Sequence, residues 1–541
     1  MLLQLNEDVV SHIISYLSIR DSLNLSVAAR GIHLVARQHA YSVVEIDDLT
    51  PTGDQVYQFC LHMLDDIPGR LHWLRGLTIA FRHPNRTSVA TLDNFRCTLQ
   101  RLANLIECAE GTLQSLSLTP IEVLVELEPQ IFTAIRNVRY LRKLELDSIG
   151  TRALGLVRQL RSRPRTLILH AEDRGTISTA LLLNSIGDMS NLRTFSVCDS
   201  LVGRRNAIPV VPFSGGVWPG VDNLTVISYW GISKSTCVRA FPGIRTLQLW
   251  VYREEPEPQA IVDDACWSYL DCLQVFPFSF RYWNIICPTH FVSIESILGF
   301  SLRFTPASSR DAVDASDKVD AKLIVHSTSP VALNLGTVAD LEFTPRLWMD
   351  LVAVAPRLRC LQLELQLMRE GRDALPELIA VLHQILPIIS QLKNLYHIEL
   401  CINSAVVNNF SVLPDRKLVS PTRFSLGPDS TKLRVAEKLA GALIEHLPSV
   451  HWLSVGFGFR GQMFQDRRFD PFHGTFWWWN VENDGKERKL HPMSTFTGER
   501  IRGYLCSPEY DYRTDPLASS LIEFAVSVRY PVSLHNQIQA R

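Results

Sequence analysis

A repeated spacing of apolar positions runs through most of this chain. The frame apolar-x-x-apolar-x-apolar begins at Leu113 and again at Leu141, and a polar residue separates its last two apolar positions. Alternation of period two is typical of a half-buried β-strand, so each copy predicts a short strand. The clearest copies span 74–79, 113–118, 141–146, 192–197, 221–226, 244–249, 270–275, 358–363, 395–400 and 450–455, with weaker ones near 167–169, 297–302, 338–343 and 424–426.

The distance between copies predicts a repeat. Frames starting at 113 and 141, 192 and 221, 221 and 244, and 244 and 270 lie 28, 29, 23 and 26 residues apart. Between frames, segments 381–389 and 436–448 have apolar residues at helical spacing and a proline that suits a helix stop. The array resembles irregular leucine-rich repeats, a curved solenoid with parallel strands inside and helices outside. Chance periodicity in a leucine-rich α/β chain is the alternative.

The resemblance implies which side chains face a ligand. Polar slots in or just after the strand frame would lie on the concave face of the solenoid, and their mixture of side chains suggests a protein or peptide ligand. The candidate target-binding positions are Glu145, Asp147, Gln248, Trp250, Gln274, Gln362, Glu364 and Glu399.

A different pattern precedes the array. Val9, Val10, Ile13, Ile14 and Leu17 form one apolar stripe at helical spacing. This first helix has a possible N-cap in Asn6 and acidic residues in its first turn, where they meet the positive end of the helix dipole. A second helix is predicted over 23–30 with Gly31 as its terminator, a third from 32 to about 40, and a strand over 41–46.

This N-terminal segment resembles an F-box, the module that joins a substrate receptor to the Skp adaptor of a cullin-RING ubiquitin ligase. The resemblance rests on Leu5, the pair Glu7-Asp8, the runs 13–17 and 21–25, and Ala28-Ala29-Arg30 with Ile32. Asn6 stands where the family prefers proline. The family's adaptor contacts would correspond here to Leu5, Ile13, Ile14, Leu17, Leu23 and Leu25. An ordinary helical cap on a larger domain is the alternative.

The chain changes character after Val455. Three consecutive tryptophans, Trp477, Trp478 and Trp479, are followed by many charged residues. Because neighbours on a strand alternate faces, at least one of these indoles should lie near the surface, which suits an interface beside Arg460, Arg467 and Arg468. The alternative to an interface is a capping hairpin in which the aromatic side chains are packed. Segments 253–258 and 305–318 read as polar loops.

Composition narrows the classes of function. Lys and Arg number 54 against 55 Asp and Glu, so the net charge of −1 gives no electrostatic footprint for nucleic acid. Apolar residues make up 46% of the chain, enough for a large core, and no run approaches the length of a membrane span. The first ten residues have no basic region, so we expect no secretory signal and a cytoplasmic or nuclear location.

Sequence motifs indicate no enzyme, metal or cofactor. The chain has no GxSxG, HExxH, Walker A or strand-linked GxGxxG motif. Its eleven cysteines include no CxxC pair and no zinc spacing, so we expect mostly buried, reduced thiols, among them Cys198, Cys272, Cys360 and Cys401. A noncontiguous catalytic site is left open.

Together these patterns predict an α/β protein with three parts. Residues 1–46 would form a three-helix F-box, 47–455 an irregular leucine-rich-repeat solenoid, and 456–541 an aromatic and charged capping region. The resemblance implies a substrate-recognition subunit that binds a Skp-family adaptor, through it a cullin, and an unknown target protein. The alternative is a repeat scaffold whose N-terminal helices only cap the array.

Overall fold

The computed structural model describes most of the chain, in segments. These are residues 6–50, 52–65, 69–81, 89–171, 179–187, 189–198, 215–228, 234–251, 265–276, 279–280, 283–294, 321–338, 345–366, 374–403, 429–457, 475–483, 487–511 and 513–514. The chain divides into two compact units, one of Met1–Ile244 with Trp250–Ala265 and one of Arg245–Leu249 with Cys266–Arg541.

The first unit alternates strands and helices. In its described part, each strand pairs in parallel with the next strand along the chain. The strands are β1 (Val43–Asp48), β2 (Gly76–Phe81), β3 (Ser115–Thr119), β4 (Lys143–Ile149), β5 (Thr166–Ala171), β6 (Thr194–Cys198) and β7 (Asn223–Ser228). The helices are α1 (Glu7–Ile14), α2 (Ile19–Ala28), α3 (His33–Ser42), α4 (Asp54–Leu64), α5 (Arg70–Trp73), α6 (Val89–Cys108), α7 (Ile121–Leu127), α8 (Pro129–Asn137), α9 (Thr151–Gln159), α10 (Thr179–Ile186) and α11 (Lys234–Ala240).

The second unit continues this alternation and ends in an antiparallel hairpin. Its parallel strands are β8 (Thr246–Val251), β9 (Leu270–Val275), β10 (Thr289–Ile294), β11 (Ala332–Val338), β12 (Cys360–Gln366), β13 (His397–Asn403) and β14 (Trp452–Phe457). Strands β15 (Thr475–Asn483) and β16 (Arg488–Met493) follow antiparallel. Its helices are α12 (Pro345–Val354), α13 (Ala374–Ile389), α14 (Asp429–His446) and α15 (Thr495–Leu505), and residues 321–328 are also helical.

The apolar frame explains why the strands form where they do. In β4, Leu144 and Leu146 are fully buried, and their register partners Leu116 and Leu118 in β3 are buried in the same way. Each such leucine contributes about 1.5–3 kcal/mol of burial free energy. The first apolar position, Leu141, lies two residues before the strand and is buried in the turn that leads into it. The α/β class and the parallel strands predicted from the frame are confirmed.

Among the parallel strands β2 to β14, two strands, β10 and β11, have no counterpart in the predicted frames. Register aligns Val292 of β10 with Leu333 of β11 and Leu361 of β12, so Thr289 and Pro330 occupy the place of the leading leucine. The frames near 297–302 and 424–426 lie outside the described residues, as do the loops 253–258 and 305–318. Pro387 does not stop its helix, because α13 continues to Ile389.

The N-terminal pattern produces three helices and a strand. Asn6 caps α1 by accepting a hydrogen bond from the Asp8 N–H, as predicted. The second helix begins earlier than predicted because the Ser18 side chain accepts from the Asp21 N–H and starts α2 at Ile19. Gly31 does not end that helix but lies in a short 3-10 turn over Arg30–Ile32.

A buried carboxylate joins β1 to the next helix. One oxygen of Asp48, Oδ1, accepts hydrogen bonds from the backbone N–H of Thr50 at 2.9 Å and from its hydroxyl at 2.6 Å. The other, Oδ2, accepts from the Val56 N–H in the first turn of α4 at 3.0 Å. Asp48 therefore connects the end of β1 to the first turn of α4. Its negative charge is favourable there because it lies at the N-terminal end of the helix.

We expect Asp48→Ala to lower the free energy of unfolding by about 2–3 kcal/mol, because it leaves buried donors without their acceptor. Urea unfolding measures the change. Leu49→Ala, at the exposed position that follows Asp48, is the control and should stay within about 0.5 kcal/mol of the parent. Equal losses in the two variants would contradict the role given to Asp48.

Candidate protein interaction surfaces

The three N-terminal helices enclose a small core of their own. Val10 and Ile14 of α1 meet Ile32 and Ala36 in one buried cluster, and Leu17, Leu25, Ala29 and Val35 pack against its edge. The main packing of α1 and of α2 is against α3, whereas α3 also packs against α5 and β1. Residues 6–42 therefore behave as a layered module in which α3 connects the outer helices to the rest of the first unit.

The outer sides of this module carry apolar side chains in contact with solvent. On α1 and the turn after it, Val9, Ile13 and Tyr16 follow at i, i+4 and i+7, and Tyr16 is 77% exposed. On α2, Ile19, Leu23 and Val27 follow at i, i+4 and i+8, and Val27 is 87% exposed. With Leu34 of α3, these side chains make up the surface we call the outer apolar patch: Val9, Ile13, Tyr16, Ile19, Leu23, Val27 and Leu34.

The exposed apolar side chains are concentrated in this part of the chain. Sixteen large apolar side chains are exposed in the described part of the chain, and seven of them belong to the patch. Single exposed apolar residues are normal on any surface, whereas a high density of them on one module indicates an interaction site. The Tyr16 hydroxyl is also held by the His12 ring, 3.3 Å from Nε2, which orders the largest member of the patch.

The predicted adaptor contacts divide between the patch and the module core. Ile13 (38% exposed) and Leu23 belong to the patch, whereas Ile14 (1% exposed) is in the core. Leu17 and Leu25 are half-buried at its edge. Leu5 lies outside the described residues. The apolar stripe read from the sequence did not distinguish exposed from buried residues, because both sides of α1 are apolar.

In the second unit, helix α15 covers part of the strand face. Ile501 and Leu505 of α15, with Tyr510 beyond it, share one buried cluster with Ala332, Cys360 and Trp452, and Val331 completes the set. Ala332, Cys360 and Trp452 lie in one row across the strands. The register defines this row as Cys272, Phe291, Ala332, Cys360, His397 and Trp452. We call this the covered row.

The next row on the same face is polar and also largely buried. Register places Gln274, Ser293, Asn334, Gln362, Glu399 and Ser454 side by side, and we call them the polar row. The Asn334 amide donates to Ser293 Oγ at 3.1 Å, and the Ser454 hydroxyl donates to Glu399 Oε2 at 3.1 Å. These bonds satisfy buried polar groups that would otherwise be costly.

The expectation of an open polar surface is therefore not met at Gln274, Gln362 and Glu399. All three are buried, and the Glu399 carboxylate is 1% exposed. Burial alone would lower the pKa of the Arg502 guanidinium, but the nearby Glu399 carboxylate raises it above its ordinary value. Thus α15 places a positive charge near the buried Glu399 carboxylate, which offsets part of the cost of burying that negative charge.

The tryptophan run is packed on both sides of β15. Register pairs Trp477 and Trp479 with Val455 and Leu453 on the core side, where Trp479 is buried and Trp477 half-buried. Trp478 lies on the other face, 1% exposed, with its ring stacked on His397 at 5.5 Å. This matches the packed hairpin that the sequence left open, and Arg460, Arg467 and Arg468 lie outside the described residues.

The remaining predicted positions differ in exposure. In β4, Glu145 and Asp147 are half-buried, and Glu145 pairs with Lys143 at 3.2 Å. Gln248 and Glu364 are also half-buried, whereas Trp250 is buried. On the side toward β2, the residues in register with Glu145 are Ser117 and Thr78, which both carry hydroxyl groups.

Several features escaped the sequence reasoning. The stripe Ile19, Leu23 and Val27 could have been found by its i, i+4, i+8 spacing. Helix α15 has its own signals in the Ser494 N-cap and the pair Ile501 and Leu505, but nothing local indicates the face on which it packs.

The comparisons with known proteins leave the function to be inferred from these residues. No protein-family model matches the chain, and no curated protein matches it. Within the described residues, no helix is both long and apolar enough to cross a membrane. In the same residues, no group of three or more His, Cys, Asp or Glu side chains is arranged to hold a metal ion.

Proposed function

We propose that this protein is the substrate-recognition subunit of a cullin-RING ubiquitin ligase of the SCF type. Its N-terminal module would bind a Skp-family adaptor through the outer apolar patch, and its strand faces would bind the target protein. The observation that carries the proposal is the concentration of exposed apolar side chains on two neighbouring helices of a module that encloses its own core. Such a surface loses free energy when a partner covers it.

A cap would use the same helices in another way. Capping helices bury their apolar face against the first repeat, so only polar side chains should remain outside. Here α1 and α2 have a buried side and an apolar outer side as well. The residues proposed to meet the adaptor are accordingly Ile13 and Leu23, joined by Tyr16, Ile19 and Val27. Ile14 supports the module from within.

Target capture is proposed for the strand face of the first unit. There Lys143, Glu145 and Thr78 are half-buried and Ser117 is buried, whereas α15 covers part of the strand face of the second unit. A face that carries both hydroxyl groups and charged side chains such as Lys143 and Glu145 favours a ligand that hydrogen-bonds, such as a polypeptide. The chain would contribute proximity and orientation, while catalysis belongs to other subunits.

Adaptor binding is tested with the full-length protein and a purified Skp-family adaptor. We expect the parent to bind, and the variant Ile13→Glu, Leu23→Glu, Val27→Glu to bind at least about 100-fold more weakly, because apolar anchors are replaced by charges. Isothermal titration calorimetry measures the affinities. Tyr140→Glu with Val217→Glu removes two exposed apolar side chains outside the patch and should leave binding unchanged.

Two results would reject the adaptor hypothesis. One is the absence of binding by the parent when amide hydrogen exchange shows that α1 to α3 are folded. The other is an equal loss of affinity in the patch and control variants. Either would favour the repeat scaffold.

A further inference from the structure

Two thiols meet where α15 packs on the strand face. Cys360 is the first residue of β12, and Cys506 directly follows α15 as its C-cap. Their Sγ atoms lie 4.0 Å apart although the residues are 146 positions apart in the sequence. The Gln362 amide donates to Cys506 Sγ at 3.2 Å, which holds the second sulfur toward the polar row. All eleven cysteines, each within the described residues, carry free thiols.

A histidine stands beside the inner thiol. His397 Nδ1 lies 3.0 Å from Cys360 Sγ, and its ring is fixed by stacking on Trp478 at an interplanar angle of 7°. The hydrogen bond with Cys506 and burial raise the pKa of the Cys360 thiol well above its ordinary value. Cys360 is therefore a protonated thiol next to a group able to accept its proton.

The two sulfurs differ in their access to solvent. Cys360 is completely buried, whereas Cys506 is half-buried at the end of α15. A small oxidant in solution thus reaches Cys506 before Cys360. Thiol pairs with one accessible and one adjacent resolving sulfur are the arrangement that redox-sensitive sites use.

We propose that Cys506 and Cys360 form a peroxide-sensitive thiol pair whose disulfide fastens α15 onto the strand face of the second unit. Cys506 sulfur attacks hydrogen peroxide, an S–O bond forms, the O–O bond breaks, and water leaves, so that cysteine sulfenic acid is produced. Cys360 sulfur then attacks Cys506 sulfur. The S–S bond forms as the S–O bond breaks, and the Cys360 proton passes through His397 to the departing hydroxide, giving a second water.

The bond would change how firmly the face is covered. In the reduced protein α15 is held by noncovalent contacts alone, among them Ile501 and Leu505. A disulfide between Cys360 and Cys506 would prevent α15 from separating from β12 without reduction. The polar row beneath the helix would be accessible to a partner only in the dithiol form.

Peptide mapping of the full-length chain tests the proposal. The protein is treated with hydrogen peroxide, its remaining thiols are alkylated, and it is digested without reductant. We expect a linked peptide pair containing Cys360 and Cys506 that is two hydrogens lighter than the separate peptides and disappears with dithiothreitol. We also expect amide exchange in α15 to slow by about tenfold or more in the oxidised protein.

Variants identify the sulfurs involved. Cys506→Ser and Cys360→Ser should each abolish the linked pair and the slower exchange, while Cys401→Ser, a buried thiol on the neighbouring strand, should change neither. The exposed thiols Cys97 and Cys108 report that the oxidant has reached the protein. Oxidation of those two without any linked pair would overturn the proposal, and so would slower exchange in α15 that persists when Cys506→Ser is oxidised.

Discussion

Replacing Gly498 by alanine is expected to lift α15 from the strand face and to lower the free energy of unfolding by about 1–3 kcal/mol. A Cβ at this position would overlap Cδ2 of Trp478, far inside any permitted contact. The indole cannot move aside easily because it is buried and stacked on His397. The helix must therefore move, and with it the contacts of Ile501 and Leu505.

The same helix offers a matched control. Gly503 is exposed, and a Cβ there meets no atom within 4 Å. Because alanine is a better helix former, Gly503→Ala should stabilise α15 by up to about 1 kcal/mol. Urea unfolding gives the stability of both variants, and amide exchange over 495–505 shows whether α15 has loosened. Similar behaviour of the two alanine variants would mean that close contact with Trp478 does not hold the helix.

The position of α15 illustrates what a sequence pattern leaves out. Leucine spacing predicted the strands because each copy reports on its own burial, as Leu144 and Leu146 do in β4. Strands β10 and β11 were missed where Thr289 and Pro330 replace the leading leucine. The cover over Gln362 and Glu399 depends on contacts between residues more than a hundred positions apart, which no local pattern encodes.

The N-terminal module shows a second limit. The sequence predicted three helices here, although α2 begins at Ile19 and not at Leu23, but an apolar stripe does not reveal which of its members face inward. Val10 and Ile14 turn to Ile32 and Ala36, while Val9 and Ile13 turn to solvent. Side chains at adjacent positions of a helix point about 100° apart. One apolar stripe can therefore contain residues that pack in a core and residues that are exposed for binding a partner.

The same substitution at two neighbouring isoleucines of α1 should destabilise the protein at one position and leave its stability unchanged at the other. Ile14→Glu places a carboxylate among Val10, Ile32 and Ala36 with no partner in that cluster, and we expect a loss of about 4 kcal/mol or more. This exceeds what so small a core can supply, so the module should unfold locally. Ile13→Glu adds the same charge to an exposed position and should stay within about 0.5 kcal/mol of the parent.

Amide hydrogen exchange of the full-length protein distinguishes the two outcomes. In Ile14→Glu, residues 7–42 should exchange as an unfolded segment, while β3 and β4 keep the protection they have in the parent. In Ile13→Glu all of these regions should match the parent. Adaptor binding would then be lost in both variants for different reasons, one through unfolding and one through the surface alone. Protection of 7–42 in Ile14→Glu would show that Ile14 is not a core residue, and it would return that side chain to the set of candidate adaptor contacts.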